Sequence, residues 1–160
     1  MIQNNKSEVE GRGSSLRFGW INWINMAVVV CLILVNIIVS RKGLCGNFRS
    51  KHPVVNFFEQ IGRYGCMAFV ILPIFANNWK FGFRSVAEMV VWLCLTILFL
   101  VTYIFLWTKR NKGSVGILYG LAIVPVLLFL MNGILLQHPA LVATSLIFGT
   151  FHLAIVKENT

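Results

Sequence analysis

Four long stretches without a charged side chain limit what this chain of 160 residues can fold into. They cover residues 18–40, 64–79, 89–108 and 113–156, and hold 23, 16, 20 and 44 residues. An α-helix rises about 1.5 Å per residue, so about 20 residues cross the ~30 Å hydrocarbon core of a bilayer. The first and third stretches match one crossing each. The last is twice one crossing and carries Gln137, His138 and Pro139 near its middle, which predicts a tight helical hairpin. Composition agrees: 58% of residues are hydrophobic and 12% charged, against about 25% charged in a soluble domain. The expected fold class is all-α, an integral membrane bundle of five transmembrane helices at about 19–40, 55–77, 86–108, 115–136 and 140–156.

The second stretch is the informative one. Its 16 residues make about 24 Å of helix, short of the hydrocarbon thickness. The helix must therefore begin earlier, near Val54 or Val55, where Pro53 suits a first helical turn. That places Glu59 and Arg63 inside it. They are spaced i, i+4 with the acid first, the better order for a helical ion pair. Glu59 also falls in the favourable first part of the helix dipole. One reading is a self-neutralising pair near the membrane surface. The other is a site.

The charges outside the helices predict topology. Lys6, Arg12, Arg17, Lys80 and Arg84 fall on one side. Arg41, Lys42, Arg49, Lys51, Lys109, Arg110, Lys112 and Lys157 fall on the other, five against eight. The positive-inside rule makes the second side cytoplasmic, so the N-terminus is expected outside and the C-terminus inside a cell membrane. Dispersed in this way, the net charge of +9 does not form the single basic face of a nucleic-acid binder. Residues 1–17 read as a disordered polar tail and 18–160 as one transmembrane domain. After the first run, SRKGLCG is basic and has no small-x-small cleavage site, so an anchored helix is expected there rather than a cleaved signal. Trp20 and Trp23 stand where an aromatic belt would be.

Polar and small residues in a membrane bundle face protein rather than lipid. Asn25 and Asn36 share a face of the first helix. Glu59, Gly62, Arg63, Cys66 and Pro73 form a stripe on the second. Pro125 and Asn132 align on the fourth, and Ser145, Gly149 and His152 on the fifth. Pro73 and Pro125 are expected kinks. Counting depth along alternating spans brings Asn36, Glu59, Arg63, Tyr103, Tyr119 and His152 to one layer in the cytoplasmic half. They are the candidate lining of a polar cavity, in which Arg63 would meet an anionic group and Glu59 and His152 would exchange a proton. The outer half offers Glu88, Asn77 and Asn78 near the far interface only, and no continuous polar track.

Enzyme signatures such as GxSxG, HExxH or a phosphate-binding glycine loop are missing, and there is no Asp. Cys31, Cys45, Cys66 and Cys94 form no CxxC. No catalytic residue, metal or cofactor is therefore assigned. The run EQIGRYGCM, the proline and asparagine of the fourth helix and the terminal FHL resemble an uncharacterised family of small multi-pass membrane proteins of Gram-positive bacteria. The resemblance implies a bacterial plasma membrane and brings no catalytic residue with it. The expected function is non-enzymatic, acting through the lipid bilayer, an anionic lipid or another membrane protein, with room for a homo-oligomer and no nucleic acid. The alternatives are a small transporter or oligomeric pore, and a membrane-embedded enzyme on a lipid-like substrate.

Overall fold

The computed structural model describes residues 16–17, 19–41, 49–74, 82–110 and 114–160. It contains five helices: α1 (Trp23–Arg41), α2 (Pro53–Ile71), α3 (Val86–Lys109), α4 (Val115–Leu135) and α5 (Pro139–Glu158). A short antiparallel ladder joins β1 (Leu16–Arg17) to β2 (Gly82–Phe83). Residues 1–15 of the tail, with Cys45, Asn77 and Asn78, lie outside the described residues.

The helix boundaries follow from local chemistry. The Asn22 carboxamide oxygen accepts the Asn25 N–H at 3.0 Å and starts α1, as an N-cap does. Pro53 occupies the first turn of α2, where a missing N–H costs nothing. Ser85 caps α3 by accepting the Glu88 N–H at 3.2 Å. His138 caps α5: its Nδ1 accepts the Leu141 N–H at 3.2 Å, and Pro139 follows at the first helical position.

One expected boundary is corrected. α2 ends at Ile71, not near residue 77, and Pro73 stops the helix rather than kinking it. The residue before a proline is driven out of the helical region, and Leu72 is extended at φ −107°, ψ 127°. Pro125, by contrast, lies inside α4.

The helices alternate in direction. At one end lie the β1–β2 ladder, the Asn22 N–H donating to the Ile71 carbonyl, and His138 against the Leu72 carbonyl. At the other end the Lys51 N–H donates to Glu158, and Asn159 donates to the Arg49 carbonyl. This is the alternation that five end-to-end helices require. α5 is the central element, packed most extensively on α2 and α4; α3 packs on α4, and α1 touches α2 and α3 more sparsely.

Glycine sets the closest of these approaches. A Cβ built on Gly62 would lie 2.6 Å from the Phe148 backbone nitrogen, so only glycine lets α2 and α5 approach this closely there. Next to this contact the Cys66 thiol lies 3.6 Å from the Ser145 hydroxyl. Ser145 itself donates to the Leu141 carbonyl at 2.6 Å.

The distribution of polarity is inverted relative to a soluble protein. Val30, Ile38, Phe57, Ile61, Leu98, Val101, Phe105 and Leu146 are exposed, whereas Asn25, Glu59, Thr96, Asn132, His138 and Ser145 are buried. Four helices, α1, α3, α4 and α5, have the length and hydropathy to cross a membrane. α2 has 19 residues, but Asn56, Glu59, Gln60 and Arg63 lower its hydropathy. Its exposed face is nonetheless mostly apolar, with Val54, Phe57, Ile61 and Tyr64 beside Gln60.

Candidate functional site

Among the described residues two polar centres lie within the bundle. The first is built by α2 and α5. Glu59 is the first member of the buried stripe Glu59, Gly62, Cys66 and Val70. One turn on, Arg63 reaches back and donates from Nη2 to Glu59 Oε1. From α5, His152 places Nδ1 3.0 Å from the same oxygen. A carboxylate only accepts, so His152 Nδ1 carries a hydrogen towards Glu59. The His152 ring stacks on Phe148 with centroids 4.8 Å apart, and the Arg63 guanidinium lies 5.9 Å from the centre of the Phe148 ring. The residue that fixes the helix approach at Gly62 therefore also backs both partners of Glu59.

These side chains border a cavity of about 1060 Å³ between α1 and the other helices. Its inner walls are apolar, with Leu32, Ile37, Met67, Leu121 and Phe129. Its mouth, at the end holding the C-terminus, carries Arg49, Lys51 and Arg110, and Arg63 is deeper. Among the described residues four cationic side chains thus line it, against the single carboxylate of Glu59. The α1 wall contributes Asn36, whose Oδ1 accepts from the Tyr103 hydroxyl of α3 at 2.9 Å.

Of the six residues expected in one layer, Asn36, Glu59, Arg63, Tyr103 and His152 line this cavity, and Tyr119 does not. The reason is helical phase. α4 turns Leu118, Leu121, Ala122, Pro125 and Phe129 to the cavity, at i, i+3, i+4, i+7 and i+11. Tyr119 is one residue beyond Leu118 and so about 100° round the helix. Depth alone could not reveal this. The basic rim was also missed as a site element, because Arg49, Lys51 and Arg110 read from sequence only as topogenic charges.

The second centre corrects the expectation that the outer half is polar only at its interface. Asn132 Oδ1 accepts from Trp92 Nε1 at 2.6 Å and from Asn25 Nδ2 at 3.1 Å. Asn25 Nδ2 also donates to the Val70 carbonyl at 3.1 Å, and Asn132 Nδ2 to the Leu128 carbonyl at 2.9 Å. This buried network ties α1, α2, α3 and α4 together. The sequence signal was present: Asn25, Trp92 and Asn132 share a depth when spans alternate.

Among the described residues no group of three or more His, Cys, Asp or Glu side chains is placed to hold a metal ion. An inverted polarity, membrane-length helices and buried polar ties between them define a polytopic α-helical membrane protein. Comparisons with known proteins found no matching family model, no matching curated protein and no matching solved structure.

Proposed function

We propose that this protein is a non-enzymatic binder of an anionic amphiphile, with α2 as its fifth membrane crossing. The cavity carries this reading. Its apolar walls suit an acyl chain, and its rim of Arg49, Lys51 and Arg110, with Arg63 beyond, suits a phosphate. The rim lies on the side with the larger number of Lys and Arg, so the ligand is drawn from the cytoplasmic leaflet of a bacterial plasma membrane.

The test is a comparison of lipids. Protein in phosphatidylcholine nanodiscs is doped with phosphatidylglycerol, and bound lipid is counted by native mass spectrometry. Retention of the anionic lipid, weakened by Arg63→Gln together with Arg110→Gln, is the expected result. Equal retention of the two lipids by the native protein would refute the proposal.

A further inference from the structure

Glu59 is 2% exposed, yet its bonding is lopsided. Both Arg63 and His152 engage Oε1. Among the described residues none donates to Oε2, and this oxygen is not sealed from the cavity that Glu59 lines. A carboxylate carries acceptor capacity on both oxygens, and here only one of them is used by protein donors among the described residues. Oε2 is thus an acceptor open to a donor from whatever occupies the cavity.

The two neighbours are incomplete in complementary ways. Arg63 spends Nη2 on Glu59, and its other N–H groups meet no acceptor among the described residues. Its side chain is 37% exposed. His152 gives Nδ1 to Glu59, which leaves Nε2 as an acceptor in the neutral ring, also without a protein partner among the described residues. One small region of the cavity therefore presents donors on Arg63 beside two acceptors, Glu59 Oε2 and His152 Nε2.

We infer that this region recognises a phosphodiester bearing a short polyol: the phosphate on Arg63, one hydroxyl donating to Glu59 Oε2 and a second to His152 Nε2. A simple alkyl phosphodiester has no P–OH and supplies no donor to either acceptor. A choline headgroup has no hydrogen to give. A glycerol phosphodiester supplies the anion and both hydroxyls. The inference rests on the lipid-binding reading and narrows it from anionic lipids in general to a hydroxylated headgroup.

Phosphatidylglycerol and phosphatidylmethanol carry the same charge and differ in the hydroxyls. The full-length protein in phosphatidylcholine nanodiscs is titrated with each. The expected result is a preference for phosphatidylglycerol of about tenfold, which is the effect of roughly 1.4 kcal/mol. Glu59→Gln is expected to reduce that preference while keeping both anionic lipids above phosphatidylcholine. The native comparison needs no variant, so a failure of Glu59→Gln to fold does not spoil the test. Equal binding of the two anionic lipids overturns the headgroup inference and leaves the lipid reading standing. Indifference to charge overturns both. Free sn-glycerol 1-phosphate binding as tightly as the lipid would support the headgroup chemistry and overturn its membrane source.

Discussion

The α-carbon of Gly62 faces the backbone of Phe148 so closely that a methyl group there would stand 2.6 Å from the Phe148 nitrogen. This contact lies one turn from both Glu59 and His152. It allows a side chain of α5 to reach a carboxylate of α2 at 3.0 Å. Gly62→Ala should therefore destabilise the bundle by about 1–3 kcal/mol, the usual cost of overpacking, despite the gain of about 1 kcal/mol in helix propensity. Because the clash is with backbone, Phe148→Ala should not rescue it. At Gly65 the obstruction is the Thr144 side chain at 2.8 Å. There Thr144→Ala should rescue Gly65→Ala. Thermal unfolding in detergent separates the two cases.

Glu59 and His152 should be energetically coupled. Removing His152 leaves the buried carboxylate with Arg63 alone, so His152→Ala is expected to cost about 1.5–3 kcal/mol. In a Glu59→Gln background the same change should cost less, by about 0.5–3 kcal/mol. A double-mutant cycle on unfolding in detergent gives the coupling. A value of zero would mean that the contact holds nothing together.

Asn132 is the hub of the second network, so Asn132→Ala should be worse than Asn25→Ala. It strands the Trp92 indole N–H and one Asn25 donor together, and each stranded group costs about 1–3 kcal/mol. Asn25→Ala frees only acceptors, which lose less. Melting temperature ranks the variants, and a shift in tryptophan emission reports on the Trp92 environment.

His138 makes stability depend on pH. Burial holds its pKa below the ordinary histidine value, opposed by the hydrogen bond to the Leu72 carbonyl. The folded geometry needs the neutral ring: Nδ1 accepts from the Leu141 N–H while Nε2 faces the Leu72 carbonyl at 3.2 Å. The unfolded chain takes up a proton at about pH 6.5. The residue's contribution is therefore complete above that pH and is lost as pH falls through the lower folded value. Melting temperature should drop more steeply between about pH 7 and 5 in the native protein than in His138→Asn. Asparagine can still cap α5 but does not titrate.

Counting residues between charges was enough to find five helices and to place Glu59 and Arg63 inside α2. It worked because bilayer thickness is a ruler that every apolar span must match. It could not show where α2 ends, since Pro73 admits both a kink and a stop; in the stop that is found, the freed Ile71 and Leu72 carbonyls meet the Asn22 N–H and the His138 ring, partners distant in sequence. Depth counting brought Asn36, Tyr103 and His152 to the level of Glu59 but was blind to azimuth, and so included Tyr119. The Asn25–Asn132 contact spans 107 residues of sequence. Both asparagines were read as inward-facing, but nothing local pairs them.

The cavity is lined no deeper than Leu32, Met67 and Phe129, and the Asn25–Asn132–Trp92 network lies beyond that floor. A cul-de-sac of this kind treats the two leaflets unequally. Ile33, Ile37, Phe57 and Tyr64, exposed on α1 and α2, also line it, so it is open along these helices as well as at its basic mouth. On the proposed lipid-binding reading, its occupancy would follow the composition of one monolayer and not the other, as a gauge does and a conduit does not.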